Sequence, residues 1–410
     1  MEVGIQVATG FSALKFMNRL FADKMNIEKP PSGGVGGYDV AIVGGGLAGL
    51  ALSIQSARAG YKTILFEKEQ YPFHKVCGEY ISLESWNFLE ELGVPLSQMN
   101  LPLIRRLLVT APNGKQIEQD LPLGGFGISR FKLDAMLAEI ARANGVEVME
   151  SAKVDDVTFD DTTFNIQHST FSINSRIVAG TFGKRSNLDV KWKRRFVLQK
   201  KNKLNNYMAV KYHIKTHWPP DLIALHNFKD GYCGISQIEE GKYCLCYLTT
   251  AKNLADASNS IPQMEKQILH QNPHLEKIFS QSEILYPSPV TISQISFSKK
   301  TQVDGHIIMI GDAAGMITPL CGNGMSMALH GSKIAFEQIH LFLQNKIPRW
   351  QMEEQYTNNW QKQFGKRLRT GRWIQKFFGS TTLSDILISF LKLFPFLTRR
   401  LIHSTHGQPF

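Results

Sequence analysis

Cysteine, acidic charge and long apolar runs are all in short supply in this chain, and each shortage excludes something. The five cysteines, Cys77, Cys233, Cys244, Cys246 and Cys321, are odd in number and form no C-x-x-C pair. That excludes a disulfide framework and a zinc knuckle, leaves no metal site expected, and fits a reducing, cytoplasmic setting. The longest uncharged apolar stretch falls far below the ~18 residues that span a bilayer, so the chain can lie on a membrane but not cross it. No continuous apolar run with a small-residue cleavage site marks a secretory signal. Residues 1–37 carry instead an amphipathic stripe (Phe11, Leu14, Met17, Leu20, Phe21, flanked by Lys15, Arg19 and Lys24), followed by Pro30-Pro31 and a Gly-rich linker. Such a segment is a surface-seeking helix, a partner-binding arm or an extension ahead of a domain starting at Tyr38, and the last is the reading taken.

Acids are outnumbered: 46 Lys and Arg stand against 35 Asp and Glu, a net +11. The excess is uneven, with nine bases against one acid in Lys184 to Lys203 and again in Lys362 to Phe410. Runs of this kind form a solvated face, or meet nucleic acid or anionic lipid. The tail favours lipid, because Leu383, Ile386, Leu387, Phe390, Leu391 and Phe394 recur at helical spacing before Pro395 breaks the helix and Arg399-Arg400 follow. An anionic membrane surface is therefore an expected partner, with the protein peripheral to it, and no nucleic acid is expected.

What is present is more specific. Tyr38-Asp-Val-Ala-Ile-Val43 runs directly into Gly44-Gly-Gly46-Leu47-Ala48-Gly49, and Leu50-Ala-Leu-Ser-Ile-Gln-Ser-Ala-Arg continues as a helix. An apolar strand, a G-x-G-x-x-G turn and a helix make a dinucleotide-binding unit: Gly44 allows the tight turn, Gly46 lets a pyrophosphate approach, and Gly49 lets helix and strand pack closely. The pyrophosphate would rest on the free N–H groups of the helix N-terminus. The alternative is a structural Gly-rich turn. A second strand, Lys62 to Phe66, ends at Glu67-Lys68, where an acid accepts hydrogen bonds from ribose hydroxyls. Far downstream, Gly305-His-Ile-Ile-Met-Ile-Gly311-Asp312-Ala-Ala-Gly315 reads as a strand with one acid at its tip, followed by Gly322-Asn-Gly324-Met325.

These two motifs together resemble the glutathione-reductase-type flavoprotein superfamily. Lys75-Val-Cys77-Gly78-Glu79, Arg130-Phe-Lys-Leu133-Asp134 and the later turns are similar to its geranylgeranyl-reductase-like members, beside the aromatic hydroxylases and flavin halogenases, over roughly Tyr38 to Ala335. The resemblance implies FAD, held non-covalently. Asp312 would bind the ribityl chain, the Gly322 to Met325 turn would offer helix N–H groups to the flavin pyrimidine edge, Arg130 would approach the FAD, and Val154 would lie near the adenine. The plainer alternatives are an N-cap for Asp312, a surface ion pair for Arg130 and sheet core for Val154.

Departures narrow the chemistry. Where aromatic hydroxylases carry Gly-Ala-Asp-Gly, this chain has Ala179-Gly-Thr-Phe182-Gly183, and it has no Trp-x-Trp-x-Ile-Pro segment of the halogenases. With no second G-x-G-x-x-G after a strand, NADPH or NADH must dock without its own Rossmann fingerprint, or an electron-donor protein must reduce the flavin. The fold expected is α/β: a Rossmann-type FAD-binding domain (three-layer ββα, residues 38–180 and 290–345), an inserted, mainly antiparallel β substrate lobe (181–289), and a basic, amphipathic helical tail (346–410). Helices are expected over Ile261 to Ser280 and Ser326 to Gln344. The activity implied is reduction of a double bond in a lipophilic, isoprenoid or polyketide-like substrate, with Glu79 and Cys77 as the candidate proton donors; an apolar pocket would raise the Glu79 pKa. For Glu79 the alternative is a salt-bridged structural acid. The competing activities are a flavin monooxygenase and a membrane-surface electron carrier to quinone.

Overall fold

The computed structural model describes residues 37–198, 206–318, 322–375, 378, 381–405 and 407–410. The N-terminal stripe, Pro319 to Cys321 and Lys376 lie outside the described residues, as does the Arg399 side chain. The chain opens with β1 (Tyr38–Val43), α1 (Leu47–Arg58) and β2 (Thr63–Phe66). Three strands then leave for a second sheet: β3 (Tyr80–Ser82), β4 (Leu103–Thr110) and β5 (Gln116–Gly127). Ser129 caps α2 (Arg130–Ala143), its hydroxyl accepting the Lys132 N–H at 3.1 Å, and the chain returns through β6 (Glu147–Met149), β7 (Val154–Phe159), β8 (Phe164–His168) and β9 (Ser172–Gly180).

Four long strands follow: β10 (Tyr207–Lys215), β11 (Leu222–Phe228), β12 (Gly231–Gln237) and β13 (Tyr243–Thr250). After them come α3 (Ile261–Ile268), α4 (Pro273–Gln281), β14 (Glu283–Ile284), β15 (Val290–Ile295), β16 (Val303–Asp304) and β17 (Ile307–Met309). Four helices close the chain: α5 (Gly324–Leu343), α6 (Arg349–Gln375), α7 (Thr381–Leu393) and α8 (Pro395–Thr405). The single helix expected over Ile261 to Ser280 is two. Pro273 supplies no N–H to the preceding turn, and Asn272 caps the new start by accepting the His274 N–H at 3.0 Å.

The first sheet has the order β16-β17-β9-β1-β2-β6, with β1 parallel to β2 and β9 and the β7–β8 hairpin continuing antiparallel from β9. Its central strand is buried on both faces, which is why Val40 to Val43 read as an unbroken apolar run rather than an alternating one. The second sheet runs β14-β10-β13-β12-β11-β4-β5-β3, with β15 against the far side of β10. It takes strands from residues 80–127 and 290–295 as well as from the middle of the chain. Its two faces differ. On β10 and β13, Met208, Val210, Tyr212, Tyr243, Leu245 and Tyr247 form a core with α3 and α4, and the intervening Ala209, Lys211, His213, Cys244, Cys246 and Leu248 turn the other way.

The basic run at 184–203 is not a uniformly solvated face. Arg194 is buried, 2.8 Å from Asp189 and 3.2 Å from Asp304, and donates to the Ala313 and Thr301 carbonyls, bracing the Gly311-Asp312 turn from behind.

Candidate flavin site and cavity

Both glycine turns open on one cleft, of about 1340 Å³ including its open mouth, lined among others by Gly46, Leu47, Ala48, Gly311, Asp312, Gly322, Gly324 and Met325. The glycines of the first turn divide the work. Gly44 has φ +114°, and a Cβ there would sit 2.7 Å from the Phe182 backbone; a Cβ on Gly49 would sit 2.2 Å from the Gly44 carbonyl. Those two are required by the fold. A Cβ on Gly46 would meet only Arg130 Nη2, at 3.7 Å, an ordinary van der Waals contact, so the space beside it is open and lies on the cleft.

The chemistry of the cradle fits a dinucleotide. Gly46 caps α1 without a side-chain hydrogen bond, Asn323 does the same for α5, and neither helix has an acid in its first turn. Two helix N-termini therefore border the cleft, suited to a pyrophosphate and to the negative pyrimidine edge of a reduced flavin. Behind the first turn a polar cluster fixes its shape. Glu67 accepts the Gly45 N–H at 3.0 Å, Tyr71 donates to the Gly45 carbonyl at 2.5 Å, and Lys75 lies 3.2 Å from Asp134 and 3.6 Å from Glu67. Arg130 lines the cleft and grips both Asp134 oxygens at 2.7 Å. Burial pushes the Asp134 carboxyl up, but Arg130 and Lys75 outweigh it and hold it below the usual carboxylate range. Behind the second turn, Lys300 donates to the Asp312 carbonyl at 2.8 Å and the Lys184 carbonyl at 2.9 Å, and its burial lowers it to about 8.

Of the expected cofactor residues, Gly44, Gly49, Glu67 and Lys75 stand behind the lining of the cleft rather than on it, and two more lie elsewhere. Val154 is buried in the sheet core and does not line the cleft, and Lys68 is exposed beside Glu69.

Cys77 and Glu79 do line the cleft, and their segment packs directly against the second sheet, the Cys244 thiol donating to the Cys77 carbonyl at 3.2 Å. Glu79 sits in the left-handed region at φ +54° and is fully buried. Its Oε1 lies 2.5 Å from the Lys211 Nζ and accepts the Arg130 backbone N–H at 2.8 Å; its Oε2 lies 2.5 Å from His213 Nε2. The raised pKa expected above is overturned by this arrangement. Burial pushes the carboxyl up, but the Lys211 charge and the His213 hydrogen bond outweigh it and keep Glu79 ionised. Glu79 stands here as a salt-bridged carboxylate, the alternative given above. Lys211 and His213 were missed from sequence, although two polar residues at alternate positions of the apolar β10 point to one face and so to a partner there. Asp134 was visible four residues after Arg130, the spacing of neighbours on a helix.

Ligand atoms of Glu79, His213 and Cys244 lie within 4.8 Å of one another, but the Lys211 ammonium against the same carboxylate repels a cation. Much of the remaining wall is apolar, with Val76, Ala209, Leu225, Tyr232, Leu248 and Ile295, and Thr181, Lys184 and Ser236 add polar groups to it.

Comparison with known proteins agrees with this geometry. Residues 37–357 match the family described as FAD binding domain, and the chain belongs to that family of FAD-dependent oxidoreductases. It is 26% identical to a digeranylgeranylglycerophospholipid reductase of Methanococcus vannielii over 81% of this chain and 84% of that one. It is 25% identical to conditioned medium factor receptor 1 of Dictyostelium discoideum over 80% of this chain and 68% of that one. Among solved structures, a geranylgeranyl bacteriochlorophyll reductase-like protein from Thermoplasma acidophilum aligns with TM-score 0.69 at 20% identity, covering 86% and 91% of the two chains. A flavin-dependent brominase aligns with TM-score 0.73 at 18% identity, covering 90% and 93%. These last two show the shared fold.

Proposed function

We propose that the protein reduces a carbon–carbon double bond of a lipophilic, isoprenoid-like substrate, using FAD reduced by NADPH or NADH. The observation that carries the reading is the apolar wall facing the two glycine turns across one cleft. Gly46, Arg130, Asp312 and the α1 and α5 N-termini would hold the FAD, which when bound supplies hydride transfer. Val76, Leu225, Leu248 and Ile295 bind and orient an apolar chain and exclude water from the reacting carbon. With Glu79 fixed as a carboxylate, Cys77 is the group at the wall that meets the substrate. The test is anaerobic: the protein is reduced with NADPH or NADH, then mixed with geranylgeranyl lipids. Reoxidation without oxygen, giving a product two hydrogens richer, is the expected outcome. Reoxidation only on admitting oxygen, with a hydroxylated product, would replace this reading by a monooxygenase; reoxidation by a quinone alone would make it an electron carrier.

A membrane surface supplies such a substrate. No helix among the described residues is long and apolar enough to cross a bilayer. Helix α7 packs Ile388 and Leu391 on Ala111 and Ile117, and α8 packs Ile402 on Tyr80, Ile104 and Leu121. Their other sides stay outward, with Ile386 60%, Leu393 75% and Phe396 68% exposed beside the exposed Lys392 and Arg400. An apolar stripe rimmed by bases fits an anionic leaflet. Ile223 joins the two regions, since it both lines the cavity and packs with the cluster under α8. Phosphatidylglycerol vesicles should pellet the protein at low salt and release it at high salt. The double variant Ile386→Asp/Phe396→Asp should stay in the supernatant with its flavin intact. Equal pelleting of both proteins, or of neither, would remove the membrane from the proposal.

A further inference from the structure

A continuous line of hydrogen-bonding side chains joins solvent to the cavity wall, and holding a flavin needs none of it. Its outer member, His74, is half-buried and stacks on Phe131 with ring centroids 4.6 Å apart. His74 Nδ1 lies 3.2 Å from the Tyr286 hydroxyl, which also bonds His213 Nδ1. His213 Nε2 is 2.5 Å from Glu79 Oε2, and Glu79 Oε1 is 2.5 Å from Lys211 Nζ. Burial rises inward along the line: His74 and Tyr286 are partly exposed, His213 is buried, and Glu79 and Lys211 are sealed from solvent.

A structural ion pair would need only Glu79 and Lys211. It gives no reason for a histidine, a tyrosine and a second histidine to extend the line outward in contact. Each of those three side chains can accept a hydrogen bond on one lone pair while donating a proton elsewhere. We propose that His74, Tyr286 and His213 form a proton relay, with the Glu79–Lys211 pair as its inner terminus, that restores from bulk water the proton consumed in the cavity. The relay rests on the reductase reading in one respect, that double-bond reduction consumes a proton there. Reduction of a π bond adds a hydride equivalent, which bound FAD would supply, and a proton, which the Glu79–Lys211 pair would release at the cavity wall. The inner terminus is then refilled by one proton shift along each link, and the net change is one proton taken from water at His74.

None of the three relay residues touches the reacting atoms. Glu79 lines the cleft, which places the inner terminus at the cavity wall. Charged or titratable groups facing the line are Lys242 beside His74, Glu239 and Cys244 beside Tyr286, and the Arg130 backbone N–H at Glu79. Burial, with Lys211 and His213, lowers His74 to about 4, so at neutral pH it passes a proton by exchanging tautomers.

The experiment needs no organic substrate. Two-electron photoreduction of the flavin-loaded protein takes up a proton, and a pH indicator in weakly buffered solution reads its rate. Tyr286→Phe should keep the amount taken up but slow its rate about 100-fold, the low end of the effect of a lost acid–base group, and enlarge the deuterium-oxide effect. His74→Gln, at the half-exposed outer end, should do the same, with recovery on adding free imidazole. Tyr212→Phe, which removes a hydroxyl bonded to Glu265 on the opposite face of the sheet, should leave uptake unchanged. Wild-type uptake rates in both Tyr286→Phe and His74→Gln would overturn the relay. Slowed uptake in a protein that reduces no double bond would keep the relay and discard the reductase.

Discussion

A Gly46→Val protein should fold with the stability of flavin-free wild type and purify colourless. The Cβ position at Gly46 has one neighbour, Arg130 Nη2 at 3.7 Å, so a side chain there starts without a backbone clash and extends into the space beside the α1 N-terminus. Flavin absorbance per chain should drop from one equivalent to none, while thermal unfolding of the two flavin-free proteins coincides. Gly44→Ala makes the contrast. At φ +114°, with the new Cβ 2.7 Å from the Phe182 backbone, it should fail to fold rather than merely fail to bind. A yellow Gly46→Val protein would mean that the pyrophosphate lies somewhere other than on this turn.

Lys211→Met should cost about 3–5 kcal/mol of stability, the range for removing one partner of a buried ion pair. The pH dependence should change with it. In the wild type, Glu79 is held below its unfolded pKa, so its contribution is present above that value and lost only as pH falls through the depressed one. The Lys211 ammonium is held above its unfolded pKa, because the Glu79 charge outweighs the lowering by burial; its contribution is lost only as pH rises through the raised value. Between those limits the pair gives no slope. Without Lys211, burial, the largest influence on Glu79, is opposed chiefly by His213, and its folded pKa should rise above the unfolded one. The variant should then lose stability as pH rises from the unfolded carboxyl pKa to the raised folded one, where the wild type is flat in this respect. Urea unfolding at several pH values measures both. Adding Glu79→Gln removes the stranded carboxylate and should recover most of the loss; a double variant no more stable than the single one would show that the pair is not coupled.

The sequence by itself determined the nucleotide-binding half. Its signals are local: Gly44, Gly46 and Gly49 act within one turn, Gly311 to Met325 within another, and a parallel strand buried on both faces shows as the unbroken Val40 to Val43. The period-2 strands of β10, β12 and β13 were legible for the same reason. Tertiary structure decided what those strands carry. Alternation places Lys211 and His213 on one face of β10, but only the packing of the segment ahead of β3 against that face brings them to Glu79, more than 130 residues earlier in the chain. That contact reversed the pKa argument, because a carboxyl in an apolar pocket and one against an ammonium shift in opposite directions. The tail divides in the same way. Its helical spacing showed an apolar stripe, and packing on β4 and β5 turned Ile388 and Leu391 inward while leaving Ile386, Leu393 and Phe396 facing out. A one-dimensional pattern gives a side chain's face, and only the neighbouring element settles whether that face meets protein or water.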